Sequence, residues 1–100
     1  MKHYLLVDLG TGNSRVALVD ANGAILGLRT YTNVYHRDSA YEDAQYFLPD
    51  EWAPLLLQGC RELCGEHPDV RIDAISAAGA RQSFVLLNHA EEAFLGLPNI

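Results

Sequence analysis

Residues 3–15 read HYLLVDLGTGNSR. An apolar run, Tyr4-Leu5-Leu6-Val7, ends in the carboxylate of Asp8. It then opens into Gly10, Thr11, Gly12, Asn13 and Ser14, and Arg15 begins a second apolar run, RVALVD, over 15–20. The first run has few polar positions, which predicts a strand over 3–8 in the middle of a sheet. The glycines lead into a strand and not a helix. That excludes the phosphate loop of the form GxxxxGK[ST] and the dinucleotide fingerprint, both of which open a helix.

The loop nevertheless has the chemistry of an anion site. Glycines adopt positive φ without steric cost, so backbone N–H groups can converge on a concave site. Thr11, Asn13 and Ser14 add side-chain donors, and Arg15 adds a permanent positive charge. Asp8 repels a phosphate directly. It fits if a divalent cation lies between them, since Mg²⁺ takes one or two carboxylates together with phosphate oxygens. A plain hairpin turn that contains glycines has the same composition, and spacing alone leaves both readings open.

Outward from the loop, Ala21-Asn22-Gly23 is a turn signal between the strand at 15–20 and a third strand over 24–33. Two successive hairpins predict an antiparallel meander. Residues 34–48 mix charges and tyrosines without periodicity and read as a loop. Pro49-Asp50 opens a helix, with Asp50 as its N-cap or a first-turn acid. Trp52, Leu55, Leu56, Gly59, Cys60 and Leu63 fall on one helical face, and Gly65 and Pro68 end it. Trp52 is expected in the core. Residues 71–78 read as a fourth strand and Phe84–Leu87 as a fifth, while 89–97 carry no decisive pattern. The predicted order is β-β-β-α-β-β.

The totals narrow the functional classes. Thirteen acidic against seven basic residues give a formal charge of −6, which argues against a nucleic-acid groove. No apolar run is long enough for a membrane span, and no basic-then-apolar leader is present. Cys60 and Cys64 with His67 supply three ligands where a structural zinc wants four, so the cysteines are expected to be reduced thiols beside the apolar stripe. Free thiols without an export signal point to the cytoplasm.

Asp8-Leu9-Gly10-Thr11-Gly12-Asn13-Ser14-Arg15 resembles the first phosphate motif, D-x-G-T-x-x-x-R, of the sugar-kinase, Hsp70 and actin superfamily. A second stretch, Ile75-Ser76-Ala77-Ala78-Gly79-Ala80-Arg81-Gln82-Ser83-Phe84-Val85-Leu86-Leu87-Asn88, resembles the segment after the fourth strand of FGGY carbohydrate kinases. The likeness is nearest to glycerol and autoinducer-2 kinases. Tyr46-Phe47-Leu48-Pro49-Asp50-Glu51-Trp52 is similar to their entry to the first helix. The resemblance spans nearly the whole chain. It implies an α/β fold of the ribonuclease-H-like, actin-like ATPase type, with a β-β-β-α-β start, one additional strand and an incomplete end.

The resemblance also implies roles. Gly10, Thr11, Gly12, Asn13 and Arg15 would bind ATP phosphates, Asp8 would hold Mg²⁺, and Arg81 and Gln82 would hydrogen-bond the hydroxyls of a sugar or polyol. Gln82 stands where the family has Glu, or His in xylulose kinases, and Gln45 replaces a common acid. The first change removes a negative charge from the sugar site that the resemblance implies, which points to a different polyol or to weaker catalysis. Each residue also has a simpler reading: Arg81 as a surface turn residue, Arg15 pointing to solvent, Asp8 capping the turn. Tyr31, Tyr35, Tyr41 and Tyr46 line a pocket or pack across the loop.

FGGY kinases are much longer and have two domains, with the general base beyond this segment, so no catalytic residue is assigned. Residues 1–100 are expected to be the N-terminal portion of the first domain, with Leu97-Pro98-Asn99-Ile100 leading into the next motif. Alone, the chain is expected to lack turnover, to expose an apolar surface and to self-associate. A non-kinase ATPase of the same superfamily and a non-catalytic assembly module are the competing readings.

Overall fold

The computed structural model describes residues 1–98. Asn99 and Ile100, the end of the expected lead-in, lie outside the described residues. The elements are β1 (His3–Leu9), β2 (Asn13–Asp20), β3 (Ile25–Thr32), β4 (His36–Arg37), β5 (Gln45–Tyr46), α1 (Pro49–Glu66), β6 (Ala74–Ala78), β7 (Phe84–Leu87) and β8 (Ala93–Leu97). They form a mixed α/β fold with a four-stranded sheet in the order β3-β2-β1-β6.

β1 to β3 are the expected antiparallel meander, and β1 is central as its composition predicts. The β2–β3 turn is fixed by Asp20. Its carboxylate accepts the N–H groups of Asn22 and Ala24 at 2.9 and 3.0 Å, and Gly23 takes the left-handed conformation, φ 85°. β6 returns parallel to β1, Tyr4 opposite Ala74 through Asp8 opposite Ala78. Asp73 starts that pairing: its N–H donates to the His3 carbonyl at 2.9 Å and its carboxylate accepts the His3 N–H at 3.0 Å.

α1 makes the parallel return possible and covers β2. Pro49 occupies its first turn with Asp50 and Glu51, while Leu48 is the cap position, so Asp50 is a first-turn acid. Leu63, Val16, Leu18 and Leu5 form the buried core. Two glycines let helix and sheet approach closely: a methyl group on Gly27 would strike Leu63, and one on Gly59 would meet the Tyr31 hydroxyl at 2.9 Å. Arg29 of β3 pairs with Glu62 at 3.3 Å and with Glu66, tying the helix to the outer strand.

Three expectations require correction. Residues 34–48 are not all loop, because β4 and β5 form a two-rung ladder. The His36 ring stacks on Tyr46 and its Nε2 lies 2.6 Å from Glu51. Two-residue strands are too short to leave a periodic signal. Trp52 is half-buried rather than core; it stacks on Phe47 with centroids 4.1 Å apart and donates its indole N–H to the Val34 carbonyl. Leu55, expected on the packed face, is 38% exposed.

Residues 89–97 resolve into a turn and β8, paired with β7 in a separate hairpin. The turn repeats the device of Asp20, with the Asn88 side chain accepting the N–H groups of Ala90 and Glu92. Every residue of β6 and β7 is exposed, including Ile75, Phe84 and Leu87. That is the apolar surface the sequence led us to expect.

Candidate functional site at the ends of the parallel strand pair

The parallel pairing of β1 with β6 ends at Asp8 and Ala78. Each feeds a loop there: β1 into residues 10–12, β6 into residues 79–83. Loops that leave the carboxyl ends of adjacent parallel strands are where open α/β sheets place ligands. The two stretches singled out in the sequence are thus brought to one edge of the sheet.

Gly10 closes the first loop, donating its N–H to the Asn13 carbonyl at 3.0 Å. A side chain at Gly10 would press on that carbonyl at 2.7 Å, so close approach explains the glycine. The expected positive φ is absent at both Gly10 and Gly12; Gly23 is the glycine that has it. Two donor assignments also change. The Gly10 amide is spent on the turn. Ser14 is 3% exposed and donates its hydroxyl hydrogen to Asn33 Oδ1 at 2.6 Å.

The remaining loop groups are open. Thr11 and Gly12 are exposed, and a methyl group on Gly12 would meet nothing within 4 Å. No described group accepts the N–H of Thr11 or Gly12. The loop carbonyls, by contrast, are all engaged from behind. Asn33 Nδ2 donates to the Gly10 carbonyl at 2.6 Å, the Tyr35 hydroxyl to that of Thr11 at 2.5 Å, and the Asn33 N–H to that of Gly12 at 2.9 Å. Sequence reading missed Asn33 entirely and left Tyr35 undecided. The missing signal was register: with Asn13 opposite Thr32, one further step sets Gly12 opposite Asn33.

Asp8 and Arg15 are cross-strand neighbours, 3.9 Å apart and both well exposed. Such a pair contributes little to stability, and both groups are accessible to a ligand. No cluster of three potential metal ligands occurs among the described residues. A lone exposed carboxylate fits a Mg²⁺ ion carried in by phosphate oxygens, not a protein-built cage.

Arg81 and Gln82 are exposed in the turn after β6. Gln82 has φ 54°, a left-handed conformation uncommon outside glycine. Behind this turn lies a cavity of about 250 Å³ with almost wholly apolar walls, including Leu9, Tyr35, Phe47, Trp52, Ala80 and Phe84. Cys60 is half-buried and Cys64 exposed, both free. Burial pushes the Cys60 thiol up, with a further contribution from Cys64.

No family model matches the chain. A curated protein of Bacillus subtilis (strain 168), "Putative sugar kinase YoaC", is 33% identical over 99 residues, which is 99% of this chain and 20% of that protein. Among solved structures, a xyloylose kinase from Brucella ovis superposes with a TM-score of 0.82 at 20% identity, covering 95% of this chain and 20% of that one. A xylulose kinase from Lactobacillus acidophilus gives 0.68 at 19% identity, over 97% of this chain and 19% of that one. A gluconate kinase from the same organism gives 0.66 at 19% identity, over 96% and 19%. The chain therefore spans about one fifth of the length of the proteins it matches. The chain is thus similar in sequence to a protein named as a putative sugar kinase, and its fold recurs in solved carbohydrate kinases.

Proposed function

We propose that this chain supplies the first phosphate loop and part of the sugar site of an ATP-dependent carbohydrate kinase. In this reading it is the N-terminal portion of a ribonuclease-H-like first domain. The observation that carries the proposal is the pair of unengaged amides at Thr11 and Gly12, beside the exposed carboxylate of Asp8, at the carboxyl end of the parallel pair.

The chemistry would be in-line transfer of the γ-phosphoryl group to a hydroxyl, which depends mainly on positioning and charge stabilisation. Thr11, Gly12 and Asn13 would donate to phosphate oxygens. Arg15 would offset their charge and Asp8 would hold Mg²⁺ through water. Bound there, Mg²⁺ supplies charge neutralisation between phosphates and carboxylate. Arg81 and Gln82 would hydrogen-bond the sugar, and the segment around Arg81 favours a glycerol- or autoinducer-2-like polyol over xylulose. The sugar-kinase relative disfavours the non-kinase ATPase and assembly-module readings.

The exposed apolar residues of β6 and β7 support self-association of the isolated chain. No described helix is long and apolar enough to cross a membrane. The free thiols support a cytoplasmic setting.

The test is titration of the ¹⁵N-labelled chain with Mg²⁺-ATP. Shifts centred on the amides of Thr11, Gly12 and Asn13, weakened by Asp8→Asn, are expected. Unmoved loop amides at millimolar nucleotide would refute the proposal.

A further inference from the structure

We infer that Asn33 and Tyr35 are positioning residues that aim the amides of the phosphate loop. The inference rests on the reading of that loop as an anion cradle. Three consecutive carbonyls, those of Gly10, Thr11 and Gly12, are held by donors from residues 33 and 35. All peptide bonds described are trans. In a trans peptide the N–H points opposite to the C=O of the same unit. Fixing the three carbonyls toward residues 33–35 therefore turns the N–H groups of Thr11, Gly12 and Asn13 away from them as one set.

The clamp is itself fixed. Buried Ser14 donates to Asn33 Oδ1, which leaves Nδ2 as the end facing Gly10 and determines the orientation of the Asn33 amide. Tyr35 is held edge-on to Trp52 and Phe47, with centroids 5.4 and 6.4 Å away. The loop is thus braced from the end of β3 and, through Trp52, from the first turn of α1. Without these donors the short glycine-containing loop would be free to rotate its peptide units, and the amides would have to be ordered at the moment of binding.

Tyr35→Phe removes one clamp bond and keeps the ring contacts; Asn33→Ala removes the side-chain bond to the loop and the one that Ser14 makes to it. Thermal melts would report folding, ¹⁵N relaxation of the free chain would report loop order, and Mg²⁺-ATP titration would report affinity. Tyr35→Phe is expected to melt as wild type, to lose order at residues 10–13 and to bind roughly three- to tenfold more weakly, the equivalent of one hydrogen bond. Asn33→Ala is expected to lose more. Folded Tyr35→Phe with unchanged loop order and affinity would overturn the inference. If wild type fails to bind nucleotide, the cradle reading falls; loop order lost in Tyr35→Phe would still establish the clamp, and retained order would remove both.

Discussion

Phe47 and Gly96 exchange both backbone hydrogen bonds, at 2.9 and 2.8 Å, and the Phe47 ring fills the space that a side chain at 96 would need. This bridge joins the β7–β8 hairpin to the β5–α1 junction. The ring has little freedom to yield, being stacked on Trp52. Gly96→Ala is expected to destabilise the chain by about 1–3 kcal/mol through overpacking. Hydrogen exchange would show loss of protection concentrated in residues 84–97.

The two loop glycines should separate structure from binding. Gly10→Ala places a methyl group against the Asn13 carbonyl and is expected to lower stability by about 1–3 kcal/mol. Gly12→Ala meets open space, so its denaturation midpoint should match wild type. Nucleotide-induced shifts in the loop should nevertheless shrink, because the methyl group would occupy room a phosphate needs. Urea melts and amide shift mapping on the two variants check this.

The Tyr31 hydroxyl is buried without a hydrogen-bond partner among the described residues. An unsatisfied buried group is costly, so Tyr31→Phe is expected to raise stability by about 1 kcal/mol in a urea melt.

The same region sets an alkaline limit. Burial, then the charge of Glu62, raises the Tyr31 phenol above its ordinary 10.0. Burial likewise raises the Cys60 thiol above 9.0. In both, the folded chain retains a proton that the unfolded chain releases. Their contribution is fully present below the ordinary thiol value and declines as pH rises past it. Stability measured over the alkaline range that spans both ordinary values should fall, and less steeply in the Tyr31→Phe, Cys60→Ala double variant.

Phe84 and Ile75 are 58% and 66% exposed. If these strands drive association of the chain, Phe84→Glu should shift sedimentation at high concentration toward monomer. Equal association of variant and wild type would argue against β7 as the contact.

Legibility followed the range of the interactions. The meander could be read because Asn22-Gly23 and the apolar runs on either side are local signals. The helix could be read because Leu56, Gly59, Cys60 and Leu63 repeat at helical spacing. β8 escaped notice since its turn depends on one side chain, Asn88, and its strand contains Gly96 for a contact with Phe47, far away in sequence. In the candidate site, Asp8, Thr11 and Gly12 were legible as a loop composition. The roles of Asn33 and Ser14 were not, because they depend on the pairing of β2 with β3, which a bulge at Leu18/Val19 offsets. The glycines misled in one respect: Gly10 serves contact, not a left-handed backbone.

The place of β1 between β2 and β6 has a consequence for biosynthesis. Its first neighbour leaves the ribosome almost at once, its second only after the helix has been made. Between Thr32, where β3 ends, and Ala78, where β6 ends, translation at ~5–20 residues per second takes roughly 2–9 s. Throughout that interval the nascent chain carries one bare ladder of backbone donors and acceptors, the kind of edge that recruits foreign strands. Slow codons in that stretch would lengthen the hazard, and holdase chaperones would be most useful there.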